Sequence, residues 1–329
     1  MASNTKKVLI LGALHPDGMA LFAGREDVEY EVLHDVSEEN ILRHIDGVHG
    51  IAVRVAKITP RIIEASSNLE IVSRHGVGYD SVDVAACTAN GVRLTIAPRA
   101  NAPSVAEQAM MFMLALAKQV TAFDPLVRRG DWARRGEHRP FDLDGRTLLV
   151  IGLGRIGSRL VKRARAFDMR VLGHDPYIPA DAIRAMGAEP VADFRAALGA
   201  VDVVSVHCPR NSETIGMLGA AELAALRPGA LVINCARGGI VDEAALVAAV
   251  QAGQVGGAGC DVFDVEPPAA DHPFFAEPRI LVTPHSAGMS LEATQRSAVQ
   301  TIENILATFD GTLDPAVVVN KEVLQGTGR

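Results

Sequence analysis

The sequence has 329 residues, of which 48% are hydrophobic and 22% are charged, and its formal net charge is −7. Because binding to a phosphate backbone needs a basic face, we expect no nucleic acid partner. No run approaches the roughly 18 unbroken apolar residues of a transmembrane helix, so we also expect no membrane span.

The first hundred residues alternate short apolar runs with helical patterns. We predict strands over 6–13, 50–54, 69–74 and 92–97. The charged start "MASNTKKVLILGA" is interpreted as leading into the first strand rather than as a signal peptide. We predict helices in 37–47 and in the segment that Thr59 and Pro60 open as N-cap and first helical residue. This alternation predicts a parallel sheet.

A second series of strands is predicted after residue 145. Its runs are "RTLLVIG", "MRVLGHD", "VDVVSVHCP", "ALVINCARG", "GAGCDVF" and "RILVTP". Such near-continuous apolar runs are typical of parallel strands that are buried on both faces. We predict helices over 104–119 and 291–311, and between the two series a solvated connection over 128–140, in which Trp132 is anchored. Proline-containing crossings at 97–104 and 284–290 suggest two domains joined by two hinges.

The four cysteines are scattered and form no CxxC pair. They are Cys87, Cys208, Cys235 and Cys260. This spacing predicts no metal site, and three of them lie in apolar runs, where free cysteine behaves as a small buried hydrophobe. We therefore expect a reduced, cytoplasmic protein.

A glycine-rich loop joins a predicted strand to a predicted helix at "VIGLGRIGSRL". Gly152, Gly154 and Gly157 have the spacing GxGxxG. In this context the first glycine allows a tight turn, the second allows a pyrophosphate to approach, and the third allows close helix packing. The helix N-terminus would supply N–H groups and a positive dipole. The alternative is a glycine-rich turn without a ligand.

Asp175 ends the next predicted strand, 23 residues after Gly152. An acid at this position accepts hydrogen bonds from the adenosine ribose and repels a 2′-phosphate. Pro176 and Tyr177 follow, with no arginine to receive that phosphate. NAD is favoured over NADP, although Asp175 could serve as a simple turn residue.

Three polar side chains follow successive predicted strands of the second series. They are Arg237, Glu266 and His285. Each has an ordinary structural alternative: a surface arginine, a loop acid, or a histidine capping a backbone carbonyl. Their convergence at the carboxyl edge of one sheet instead predicts a cation, a carboxylate and an imidazole in one site. Histidine is the first choice for proton transfer near neutral pH.

These motifs together resemble the D-isomer-specific 2-hydroxyacid dehydrogenases. The resemblance runs from "SRHGVGYDSVDVAA" through "NAPSVAEQAM", "VIGLGRIG", "VHCPRNSETIGML", "INCARGGIVDEAAL" and "DVFDVEPP" to "TPHSAG". It implies an α/β fold of two Rossmann-like, doubly wound parallel-sheet domains. An NAD-binding domain over 101–286 would be inserted in a flavodoxin-like substrate-binding domain of 1–100 plus 287–329.

The resemblance also implies the roles of individual residues. Arg237, Glu266 and His285 match the catalytic arginine, glutamate and histidine, whereas His75 and His207 do not match the proton donor. Cofactor contacts are implied for Gly152, Gly154, Arg155, Ile156, Gly157, Asp175, Cys208, Pro209, Thr214, Cys235, Ala236, Asp261 and Gly288. Substrate contacts are implied for Arg54, His75, Val77, Gly78 and Asn101, with Gly76 and Gly78 permitting the unusual backbone of that loop. No metal is implied.

The resemblance implies an NAD-dependent oxidoreductase for a small 2-hydroxy or 2-oxo acid, and a homodimer. Arg54, with Arg74 and Arg99 nearby, favours a substrate with a second anionic group, against the equal alternative that these arginines are structural. Val55 replaces the small polar residue that often follows the matching arginine, which counts against strict phosphoglycerate specificity. The chain ends soon after its last helix, so we expect no regulatory domain.

Two other classes remain open. One is an NAD(H)-sensing protein of the corepressor type, which can keep the same three catalytic residues. The other is formate oxidation, in which the family's catalytic acid is replaced. Glu266 argues against the second class.

Overall fold

The computed structural model describes residues 5–325. The strands are β1 (Lys6–Leu11), β2 (Val28–Leu33), β3 (Val48–Val53), β4 (Ile71–Arg74), β5 (Arg93–Thr95), β6 (Thr147–Ile151), β7 (Arg170–His174), β8 (Glu189–Pro190), β9 (Val203–Val206), β10 (Ala230–Asn234), β11 (Val255–Cys260) and β12 (Ile280–Val282). The α-helices are α1 (Pro16–Met19), α2 (Glu38–His44), α3 (Pro60–Glu64), α4 (Val84–Ala89), α5 (Ala102–Ala117), α6 (Val120–Arg128), α7 (Gly157–Ala166), α8 (Ala180–Met186), α9 (Ala220–Ala225), α10 (Glu243–Gln251) and α11 (Leu291–Phe309). Short 3-10 helices lie at Ala20–Phe22, Trp132–Glu137, Phe194–Ala200, Pro273–Ala276, Pro315–Val317 and Lys321–Leu324.

Two compact units divide the chain. One contains the residues up to Asn101 together with those from Gly288 onward, and the other is Ala102–Ala287. Below they are called the terminal unit and the central unit. The sequence predicts the domain boundaries at 100/101 and 286/287.

The terminal unit is built on a five-stranded parallel sheet in the order β2-β1-β3-β4-β5. This is the doubly wound order of flavodoxin-like proteins. Thr59 caps α3 as predicted, because its hydroxyl accepts from the Ile62 amide. Helix α11 packs Ile302 and Ile305 against the side chains of the sheet, so the last predicted helix belongs to this unit.

The central unit has a seven-stranded sheet in the order β12-β11-β10-β9-β6-β7-β8, and all of its pairs are parallel. Counted from β6, this is the Rossmann order with one further strand at the edge. The predicted fold class is confirmed for both sheets. Helix α5 buries Phe112 and Met113 in the core, which explains its apolar sequence.

Several details differ from the prediction. Strand β2 was not predicted, because its outward-facing side chains make "VEYEVL" polar at an exposed sheet edge. Strand β8 was also missed, since two residues carry no pattern. The segment 128–140 is exposed as predicted, but Trp132 is not anchored: it is 62% exposed, and its ring contacts the Arg135 guanidinium.

Within the described residues, no single helix is long and apolar enough to cross a membrane; α5 and α6 reach that length and composition only as a pair bent by 59°.

Candidate active site

The glycine-rich loop follows β6 and leads into α7. Gly152 has φ +91°, and a Cβ there would lie 2.7 Å from the Cys208 amide nitrogen. A Cβ on Gly157 would lie 2.0 Å from the Gly152 carbonyl oxygen, so both positions require glycine. A Cβ on Gly154 would meet nothing within 4 Å. The backbone is therefore crowded on its inner side and open at Gly154, which is the arrangement that a bound pyrophosphate needs.

The N-terminus of α7 carries no side-chain cap. Its first N–H groups can therefore serve an anion, and Arg155 and Ile156 lie in the turn that precedes the helix. These features fit a dinucleotide phosphate.

Asp175 connects the ends of β6 and β7. Its Oδ2 accepts from the Leu153 amide at 2.9 Å, and its Oδ1 accepts from the Tyr177 amide at 3.0 Å. The carboxylate is thus fixed beside the glycine-rich loop, as an acid that recognises a ribose must be. The Tyr177 hydroxyl donates to Glu213 at 2.6 Å, which brings a second carboxylate to this edge.

The loop after β9 is held together by the hydroxyl of Thr214. This hydroxyl donates to the Pro209 carbonyl at 2.6 Å and accepts from the Asn211 amide at 2.9 Å. Thr214 is buried, so in this structure its side chain shapes the loop in which Cys208 and Pro209 also lie. Burial raises the pKa of the Cys208 thiol to about 11.

The loop after β10 positions Arg237. Buried Asn234 accepts from the Ala236 amide at 3.0 Å and donates to the Arg237 carbonyl at 2.9 Å. The Arg237 guanidinium also donates to the Ala236 carbonyl at 2.7 Å. A Cβ on Gly238 would lie 1.9 Å from the Phe263 carbonyl oxygen, so this loop and the loop after β11 cross at backbone contact.

Asn234 was not identified from the sequence as part of the site. The sequence did offer a signal for it, because Asn234 is the one polar residue of β10 and ends this otherwise apolar strand.

His285 and Glu266 form a hydrogen-bonded pair. The His285 Nδ1 lies 2.7 Å from the Glu266 Oε2, and the other carboxylate oxygen of Glu266 accepts from the Phe263 amide at 3.0 Å. Burial acts to raise the pKa of Glu266. The hydrogen bonds from His285 and Phe263, with the charges of His285 and Arg237, outweigh it, and the pKa of this carboxyl is lower than its ordinary value. The side chain of His285 is 47% exposed.

Glu266, His285 and Arg237 lie at one edge of the central sheet, because they follow β10, β11 and β12, which run parallel.

His75 and His207, the two other histidines in the family motifs, both have lowered pKa values. Burial lowers the pKa of His207 to about 4, and burial with the charges of Arg54 and Arg74 lowers the pKa of His75 to about 4. Both rings are neutral at pH 7 and are poor proton donors.

Cys235, Ala236 and Asp261 line the same edge and are buried. Burial raises the pKa of the Cys235 thiol well above its ordinary value and that of Cys260 to about 12. These thiols are therefore unreactive small side chains, in line with the prediction for cysteines in apolar runs.

The remaining predicted residues belong to the terminal unit. The loop after β4 is bent by Gly76, with φ +121°. The role of Gly78 in this loop stays a prediction. The His75 amide donates to the Val53 carbonyl at 2.8 Å, which ties this loop to the end of β3.

Arg54 and Asn101 carry polar side-chain atoms that have no hydrogen-bond partner among the residues that the structure describes. Arg54 is half-buried just after β3 and makes no hydrogen bond or ion pair there. The side-chain oxygen of Asn101 and Nε2 of His75 are buried and accept or donate no hydrogen bond. Gly288 lies against Asn101, since a Cβ there would be 3.0 Å from the Asn101 amide nitrogen. Val77 lies in the same loop as His75.

Comparisons with known proteins identify the family of the chain. The family described as "D-isomer specific 2-hydroxyacid dehydrogenase, NAD binding domain" matches residues 110–287. The chain is 37% identical to D-3-phosphoglycerate dehydrogenase of Archaeoglobus fulgidus over 306 residues, which cover 93% of this chain and 58% of that protein. The chain thus spans about three fifths of the length of the curated relatives that it matches.

Two solved structures cover nearly whole chains. The NADPH-dependent glyoxylate/hydroxypyruvate reductase of Sinorhizobium meliloti is 30% identical, with a TM-score of 0.85, over 96% of this chain and 98% of that chain. The NAD-dependent formate dehydrogenase of Staphylococcus aureus is 26% identical, with a TM-score of 0.83, over 95% of this chain and 98% of that chain. The chain belongs to the D-isomer specific 2-hydroxyacid dehydrogenase family, whose NAD-binding domain is formed here by the central unit.

Proposed function

We propose that the protein interconverts a D-2-hydroxy acid and its 2-oxo acid with NAD as the cofactor. The observation that carries this proposal is the 2.7 Å contact between His285 Nδ1 and Glu266 Oε2 at the sheet edge that also holds the glycine-rich loop. An imidazole oriented by a carboxylate is the usual means of moving one proton when a carbonyl is reduced.

The mechanism follows from the roles that these side chains can take. The reduced nicotinamide, when bound, supplies the hydride. His285 donates a proton from Nε2 to the carbonyl oxygen of the 2-oxo acid, and in the reverse direction it accepts the hydroxyl proton. Glu266 stabilises the imidazolium and fixes the ring. Arg237 binds the substrate carboxylate through its planar fork and polarises the 2-oxo group.

The central unit would bind the cofactor along its carboxyl sheet edge. Gly152, Gly154, Arg155, Ile156 and Gly157 would hold the pyrophosphate. The adenosine end would meet Asp175, Cys208, Pro209 and Thr214. The nicotinamide end would meet Cys235, Ala236 and Asp261, and also Gly288, the residue that directly follows the central unit in the chain. Asp175 favours NAD, because a carboxylate repels the 2′-phosphate of NADP.

The terminal unit would bind the substrate through Arg54, His75, Val77, Gly78 and Asn101. The half-buried guanidinium of Arg54, without an ion pair in the described residues, supports a substrate with a second anionic group. Phosphohydroxypyruvate and sulfopyruvate belong to this class, and glyoxylate and hydroxypyruvate lack the second anion.

We further propose a homodimer formed through α5, α6 and the segment that follows them. Met111, Val120, Val127 and Trp132 are apolar side chains there that are at least 40% exposed. Several exposed apolar side chains within one segment support a surface that a partner covers. Light scattering coupled to gel filtration would give twice the monomer mass of 34.8 kDa, and a monomeric mass at micromolar concentration would contradict the proposal.

The experiment for the activity is the oxidation of NADH in the presence of glyoxylate, hydroxypyruvate, phosphohydroxypyruvate and sulfopyruvate, each assayed separately. We expect turnover with at least one of them, and a higher kcat/KM for the dianionic pair. Binding of NADH without turnover on any of the four would contradict a dehydrogenase and favour an NAD(H)-sensing protein on the same fold.

A further inference from the structure

The segment that carries His285 is held by one buried carboxylate. Asp261, which follows β11 and is 1% exposed, accepts at Oδ1 from the Ser286 amide and at Oδ2 from the Ala287 amide, both at 2.9 Å. The Thr283 hydroxyl donates to the same Oδ1. Three donors from the five residues around His285 therefore converge on a single side chain from the neighbouring strand.

The backbone of His285 is held in a conformation that histidine rarely adopts. Its φ is +51°, in the left-handed region. Such a conformation is strained for a residue other than glycine, and it persists only where the surroundings impose it. The His285 amide donates to the carbonyls of Asp261 at 2.8 Å and Thr283 at 3.0 Å. The hydrogen bonds to Asp261 thus flank the strained residue on both sides.

The network extends to a helix far away in sequence. The side-chain amide of Gln108, on α5, donates to the Thr283 hydroxyl at 3.1 Å. Because this hydroxyl accepts from Gln108, its own proton is directed to Asp261. The order of donation is therefore fixed along three side chains, from Gln108 to Thr283 to Asp261.

We propose that Gln108, Thr283 and the carboxylate of Asp261 are positioning residues for proton transfer, which impose the left-handed backbone of His285 and so aim its ring at Glu266. This inference rests on the proposed function of His285. An ionised carboxyl group can accept about four hydrogen bonds, and three are used here. One position remains for the nicotinamide contact that is proposed for Asp261.

The test compares variants at Thr283. Thr283→Val keeps the size of the side chain but removes the donor to Asp261 and the acceptor for Gln108. Thr283→Ser keeps both. Displacement of a reacting group by about 1 Å can cost on the order of a hundredfold in rate. We expect Thr283→Val to lower kcat tenfold to a hundredfold, with the dissociation constant of NADH within about twofold of wild type, and Thr283→Ser to restore most of kcat.

A matched control separates positioning from a general loss of stability. Thr308 is a buried threonine of α11 whose hydroxyl donates to the Asn304 carbonyl at 2.8 Å. Thr308→Val should lower the midpoint of thermal unfolding about as much as Thr283→Val and leave kcat unchanged. An equal loss of kcat in both variants would overturn the proposal.

Crystal structures of the wild type and Thr283→Val give a readout that does not depend on turnover. We expect the His285 ring to leave Glu266, or to occupy several conformers, only in the variant. An unchanged pair would overturn the positioning role even if the wild type is active. A displaced ring in a protein that reduces none of the four acids would support positioning and count against the proposed function.

Discussion

His285 Nδ1 and Glu266 Oε2 lie 2.7 Å apart, although the residues come from loops after two different strands. Since one ring nitrogen faces the carboxylate, the other can act on a substrate. Replacing Glu266 should therefore impair proton transfer and leave the cofactor site intact. We expect Glu266→Gln to lower kcat/KM by roughly ten- to a hundredfold, because the amide can still orient the ring but cannot stabilise its charge.

Glu266→Ala is the companion variant, measured with the same 2-oxo acid. It removes orientation as well as charge, so its kcat/KM should fall further than that of Glu266→Gln. Equal activity of wild type and both variants would show that the pair takes no part in the reaction.

Gly154 and Gly157 should respond differently to alanine. Gly154→Ala adds a methyl group into open space, so the free energy of unfolding should change by less than about 1 kcal/mol. The same methyl group would occupy the space proposed for the pyrophosphate, and we expect the dissociation constant of NADH to rise at least tenfold. Fluorescence titration of NADH measures this value.

Gly157→Ala places its methyl group 2.0 Å from the Gly152 carbonyl oxygen. Because backbone must move to relieve this contact, we expect a clear fall in the thermal midpoint as well as weaker binding. A Gly154→Ala variant that binds NADH as tightly as wild type would place the pyrophosphate elsewhere.

Asp175 should determine the choice between the two nicotinamide dinucleotides. Asp175→Asn keeps an acceptor for the Leu153 or Tyr177 amide but removes the charge. We expect the ratio of kcat/KM for NADPH to that for NADH to rise about tenfold or more, because the repulsion of the 2′-phosphate is lost. Glu189→Gln, at the surface of β8, removes one charge as a control. An unchanged ratio in Asp175→Asn would assign the preference to other residues.

Acid should destabilise the fold through His75 and His207. The pKa of each is about 4, against an ordinary value of 6.5, so between these pH values the unfolded chain binds protons that the folded chain does not. Stability is therefore full above pH 6.5 and is lost as the pH falls toward 4, by at most about 3 kcal/mol per histidine.

Thermal unfolding measured at pH 7 and pH 4.5 tests this sign. We expect His207→Gln to reduce the fall in the midpoint between the two pH values, and His34→Gln, at an exposed position, to leave it unchanged. If His207→Gln shows the same fall as wild type, protonation of that ring does not drive the acid sensitivity.

The sequence predicted the parts of the structure that depend on local pattern. The glycine spacing at Gly152, the cap at Thr59 and the apolar parallel strands follow from neighbouring residues, and both sheets were recognisable. The hydrogen bond from Gln108 to Thr283 joins residues 175 positions apart. Nothing local to either residue indicates it. At Trp132 the local pattern was misleading. An aromatic side chain predicts burial, but the fold leaves its ring exposed.

The variant His285→Asn tests most directly whether His285 moves the proton. NADH oxidation with the best 2-oxo acid of the panel and NADH binding by fluorescence would be measured on the wild type and on this variant. We expect a loss of kcat of at least about a hundredfold, with the dissociation constant of NADH within a few-fold of wild type. A variant that keeps its kcat would contradict proton transfer by His285 and require another proton donor.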